Sequence, residues 1–156
     1  MTASALAISD FFREALGHIA AAVFCGVVVG FERQLRRKAI GIRPCVIVVL
    51  TTALLTHLGA GATEEAGDPS RVVAAIVSGI GFLGGGVILA QGARIRGVTT
   101  ASLIWALAAT GVAIGLGYRY TAVAMVLTVM AVMILTDFVE RLFPALRRED
   151  PLRRDE

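Results

Sequence analysis

The sequence predicts an all-α, polytopic membrane protein with five transmembrane helices, its N-terminus outside and its C-terminus cytoplasmic. Three observations carry that prediction. Of 156 residues, 56% are hydrophobic and 17% charged, where a soluble domain carries roughly 25% charged residues; mean hydropathy is +0.77. The charges also leave long gaps, with no Asp, Glu, Lys or Arg between Arg43 and Glu64, Arg71 and Arg94, Arg96 and Arg119, or Arg119 and Asp137. A hydrocarbon core of ~30 Å is crossed by about 20 apolar helical residues. Finally, the basic residues alternate from one connection to the next.

The first span, Phe12 to Gly30, follows the acids Asp10 and Glu14 rather than a basic segment, and no small-residue cleavage site precedes the Arg33 to Lys38 run. It therefore reads as a span and not as a signal peptide. The second, Val46 to Ala62, carries Thr51, Thr52, Thr56 and His57. Asp68-Pro69-Ser70-Arg71 opens the third, Val72 to Ala90: Asp offers an N-cap acceptor, and Pro takes the first helical position, where its missing N–H is not needed. Gly97-Val98-Thr99-Thr100 opens the fourth, Val98 to Gly117, with a threonine hydroxyl available for an orphan amide. The fifth runs from Tyr120 to Leu135. These spans form one transmembrane domain, 1–138, and 139–156 form a charged cytoplasmic tail with Pro144 and Pro151.

Basic residues flanking spans stay on the cytoplasmic side. Arg33, Arg36, Arg37, Lys38 and Arg43 occupy the first connection, Arg94 and Arg96 the third, and Arg141, Arg147, Arg148, Arg153 and Arg154 the tail, which is 12 of the 15 basic residues. The other side has Arg13, Arg71 and Arg119 beside Asp10, Glu14, Glu64, Glu65 and Asp68. The net charge of +3 is therefore a topology and headgroup signal, with no nucleic-acid partner implied.

Glycine spacing marks helix faces. Without a hydrophobic drive inside lipid, helices associate where small residues let backbones approach, and G-x-x-x-G pairs occur at Gly26 and Gly30, Gly81 and Gly85, and Gly111 and Gly115. The third span adds Gly79, Gly84 and Gly86. Gly79 to Gly84 also has the spacing G-x-G-x-x-G, but the next acid after Asp68 is Asp137, so the ribose-binding carboxylate of a dinucleotide site is missing. Two readings of this span stand: a tightly surrounded central helix, or a helix broken near Gly84-Gly85-Gly86 whose freed backbone groups line a cavity.

Ionisable groups at a membrane span are costly and so mark candidate function. Glu32 can pair with Arg33, Arg43 or an arginine of the third connection, or it can contact an ion or ligand. Asp137 is placed to pair with Arg141, four residues on. His18 and His57 read as separate hydrogen-bonded residues near the outer span ends, Trp105 as packing, and Cys25 and Cys45 as small apolar residues without a disulfide framework. No chain of acids crosses the bilayer, and no Walker loop, HExxH or Ser/His/Asp set is present. The chain is not expected to be an enzyme or to hold a cofactor.

These motifs, in order, resemble the MgtC/SapB family of bacterial inner-membrane proteins. The resemblance rests on Gly30-Phe31-Glu32-Arg33-Gln34, Gly41-Ile42-Arg43, Asp68-Pro69-Ser70-Arg71, the run Val77 to Ile88, and Arg96-Gly97-Val98-Thr99-Thr100-Ala101 followed by Trp105. Arg43-Pro44, Ala75 and Gly85 depart from the family pattern. The chain is also expected to be a short form without the folded cytoplasmic C-terminal domain of longer members. The resemblance implies a multi-pass protein of the bacterial inner membrane that supports magnesium and membrane-potential homeostasis and is linked to growth inside macrophages. In that reading it is a regulator acting on another membrane protein, with Glu32, Arg33, Arg43, Asp68, Arg71, Arg96, Thr99 and Thr100 as candidate contacts. The competing expectation is a small oligomeric transporter or channel for a cation such as Mg2+, with Glu32 or Asp68 touching the ion. The expected partners are the lipid bilayer and either another membrane protein or a second copy.

Overall fold

In a computed structural model, described over residues 3–61, 69–89 and 97–143, five helices follow one another. They are α1 (Ala3–Leu35), α2 (Ile42–Gly61), α3 (Pro69–Leu89), α4 (Val98–Gly115) and α5 (Arg119–Leu142). All five are long and apolar enough to cross a bilayer, and no strand occurs among the described residues. The helices outrun the apolar spans where charged residues follow. Glu32-Arg33-Gln34 continue α1, and Glu140 and Arg141 continue α5, because Glu, Arg and Gln are good helix formers and leaving the hydrocarbon does not end a hydrogen-bonded ladder. Pro44 sits in the first turn of α2, where its absent N–H has no intrahelical partner to lose.

Two helix ends are closed by the same device. At the end of α1 the Lys38 N–H donates to the Arg33 carbonyl at 3.0 Å and the Arg37 N–H to the Gln34 carbonyl at 3.1 Å, with Arg37 at φ 50°. This is a Schellman cap in which an arginine takes the left-handed position usually given to glycine. At the end of α4 the equivalent bonds run from Tyr118 to Ala113 and from Gly117 to Ile114, with Gly117 at φ 88°.

The bundle is organised around α2 and α4. α4 touches each of the other four helices, and 50% of its apolar window is buried against 11% for α3. Glycines grip α2 from two sides. A methyl group added at Gly26 would lie 2.5 Å from the Val46 Cα, and one at Gly30 would meet the Ile42 backbone. From the opposite side Gly111 rests on Thr52 and Val49, and Gly115 on Ala53 and Thr56. The core between these faces includes Cys25, Val29, Cys45, Val49, Ala53, Leu107 and Ile114.

The central position expected for the third span belongs to α4 instead. α3 is unbroken through Gly84-Gly85-Gly86 and packs only on α2 and α4 among the described residues, with Ile76 and Ile80 meeting Ile104 and Ala108. Gly84 approaches the Ala101 Cβ at 3.7 Å, while Gly79, Gly81, Gly85 and Gly86 have nothing within 4 Å. Trp105 is also displaced from its expected role: it is 53% exposed on the outer surface of α4.

Candidate functional site

At the bundle end where α1 and α5 finish and α2 and α4 begin, a cavity of about 370 Å³ is lined mainly by polar side chains of α1, α4 and α5. α1 contributes Glu32 and Arg33, the turn after it Arg36, α4 Thr99 and Thr100, and α5 Thr136, Asp137 and Glu140. Arg33 is 3% exposed, and its Nη2 donates to the Thr100 hydroxyl at 2.9 Å. That bond fixes the last turn of α1 to the first turn of α4. A buried guanidinium needs acceptors because the loss of water is otherwise uncompensated; Arg33 Nε lacks a hydrogen-bond partner among the described residues.

Arg36 sits between two carboxylates. It pairs with Glu32, one turn earlier on α1, and with Asp137 of α5, so a single guanidinium ties α1 to α5. This corrects two expectations. Glu32 meets Arg36 rather than Arg33 or Arg43, since the i, i+4 spacing brings them together; the arginines of the third connection lie outside the described residues. Asp137 reaches across to Arg36 rather than along its own helix to Arg141. The threonine expected to cap α4 is not a cap either: Gly97, at φ 88°, occupies that position without a side-chain cap bond, and the Thr100 hydroxyl serves Arg33.

Four of the candidate residues, Glu32, Arg33, Thr99 and Thr100, therefore share one cavity. Arg43 is exposed on the first turn of α2 and does not line it, and Arg71 lies at the opposite end of α3. Asp68 and Arg96 lie outside the described residues. Lys38, Arg36, Asp137 and Glu140 join the site without having been singled out for it. The sequence signal for Arg36 was its spacing of four from Glu32. Among the described residues no group of three or more His, Cys, Asp or Glu side chains is placed to hold a metal ion.

The two histidines are not separate. The rings of His18 of α1 and His57 of α2 meet in a tilted contact, centroids 4.6 Å apart at 55°, and His18 is 1% exposed, deep between helices rather than at a wet interface. Short connections bring the far ends of α1 and α2 side by side, a proximity that neither helix records on its own.

Five apolar helices packed into one bundle, with a paired ionic cluster at one end, define a multi-pass membrane protein. A model of the MgtC family matches residues 19–142, and the chain belongs to that family. It is 40% identical over 129 residues to an uncharacterized protein of Haemophilus influenzae, covering 77% of this chain and 54% of the relative. It is 39% identical over 132 residues to Protein MgtC of Brucella abortus, covering 83% and 55%. With Protein MgtC of Salmonella typhimurium the identity is 37% over 118 residues, covering 76% and 50%. The chain thus spans about half the length of the curated relatives it matches. No solved structure matches it significantly.

Proposed function

We propose that the protein is a non-enzymatic regulator of the bacterial inner membrane that supports magnesium and membrane-potential homeostasis by binding another membrane protein. One observation carries this reading: the acids Glu32 and Asp137 of the cavity are both engaged by Arg36, at one end of the bundle. From Arg36, Glu32 and Asp137 inward, no Asp, Glu, Lys, Arg or His interrupts α1 before His18, α2 between Arg43 and His57, or α5 before Arg119. An ion crossing the bundle would meet the apolar core around Val29, Leu107 and Ile114, and desolvating a charge there without a partner is prohibitive. The excess of Lys and Arg at the cavity end supports a cytoplasmic placement of that end.

The test is loss and restoration of the chain in cells grown at limiting magnesium, read as growth and as membrane potential with a voltage-sensitive dye. Loss should change both, and expression of the chain should restore both. A strain without the chain that grows and polarises normally would overturn the proposal.

The cation-transporter reading is favoured by the cavity itself, which has room for several waters and holds the Glu32 carboxylate. Under it, Glu32→Gln abolishes cation flux while the protein still folds and inserts; under the regulator reading there is no flux to abolish.

A further inference from the structure

A second cavity, of about 610 Å³, runs between α2 and α3 away from the polar site. Its walls are Ile47 and Leu55 of α2 and Val72, Ile76, Gly79 and Leu83 of α3. Thr52, on the same wall, donates its hydroxyl back to the Val48 carbonyl at 2.8 Å, so it adds no free polar group. Among the described residues the one charged lining residue is Arg71, in the first turn of α3. It is exposed and makes no ion pair among the described residues. We propose that this groove holds one acyl chain of an anionic phospholipid whose phosphate sits on Arg71.

Length and volume select that occupant. From Arg71 to Leu83 the groove follows α3 for about 18 Å at ~1.5 Å per residue. One leaflet of a ~30 Å hydrocarbon core is about 15 Å deep. The charged residue therefore stands where a headgroup begins, and the apolar trough ends near the bilayer midplane. A helix from a second copy is ~10 Å across and must run the full ~30 Å, several times the space available, so it would lie over the groove rather than in it. Gly79 is what opens the trough, since nothing lies within 4 Å of the position its Cβ would take. The guanidinium suits a phosphate because it presents a fork of donors to the anion.

The test is native mass spectrometry of the full chain in detergent, titrated with dioleoyl phosphatidylglycerol. The wild type should retain one lipid per chain. Arg71→Gln should weaken that binding about tenfold, the loss of one charge-assisted contact, with no effect on folding because the side chain is exposed. Gly79→Leu should fill the trough and abolish the adduct while helicity and elution volume stay unchanged. Equal binding by all three proteins would overturn the proposal and leave only surface-coating lipid. A wild-type dimer that Gly79→Leu converts to a monomer would also overturn it, assigning the groove to a second copy.

Discussion

Gly26→Ala is the sharpest probe of how α1 and α2 meet. The added carbon would lie 2.5 Å from the Val46 Cα, 2.9 Å from its N and 3.0 Å from its Cγ2, whereas non-bonded carbons settle at ~3.5–4.0 Å. Two of these three neighbours are backbone, so no rotamer change relieves the clash, and the helices must part by about 1 Å. That separation also loosens Cys25, Val29, Cys45 and Val49 in the core behind the contact. Overpacking of this kind costs about 1–3 kcal/mol, against a gain of up to ~1 kcal/mol from replacing a helical glycine. The comparison is Gly85→Ala, where nothing lies within 4 Å and only the gain remains. Equilibrium unfolding in mixed detergent micelles, followed by circular dichroism, should rank Gly85→Ala above wild type and Gly26→Ala below it. If Gly26→Ala is as stable as Gly85→Ala, the close approach of α1 to α2 is wrong.

Two further outcomes concern the polar site. Thr100→Val keeps the shape of the side chain but removes the acceptor for Arg33 Nη2, and should cost about 1.5–3 kcal/mol in the same unfolding assay, as expected for a hydrogen bond to a charged group; unchanged stability would show the 2.9 Å contact to be idle. Arg36 and Asp137 have side chains 28% and 41% exposed, so a double-mutant cycle of Arg36→Ala with Asp137→Ala should give a coupling of only ~0.2–1 kcal/mol that fades with added salt. A coupling that survives molar salt would contradict the solvent-exposed pair.

The five-helix fold was legible because membrane spans are written in one dimension, as charge-free runs such as Arg71 to Arg94 bounded by arginines and acids. Neighbours are not written that way. Gly26 and Gly30, Gly81 and Gly85, and Gly111 and Gly115 share the same spacing, yet the first and last pairs press on α2 while the middle pair faces nothing within 4 Å. Spacing defines a face, and tertiary arrangement decides what covers it. The polar site shows the same division. Glu32 and Arg33 stood out because they directly follow an apolar span, and Thr100 belonged to a recognisable motif. The bridge from Arg36 to Asp137 was hidden because Asp137 has an equally plausible local partner in Arg141, and only the packing of α5 beside α1 chooses between them. His18 and His57 met for a similar reason, since their pairing depends on the register of α1 against α2.

The central claim, that the protein regulates rather than conducts, meets its most direct test in liposomes. The purified chain, reconstituted at known density, is assayed for Mg2+ entry with an entrapped fluorescent indicator, with an ionophore as the positive control. Entry should be no faster than in protein-free vesicles, at any imposed membrane potential. Robust Mg2+ uptake that Glu32→Gln abolishes would contradict the claim.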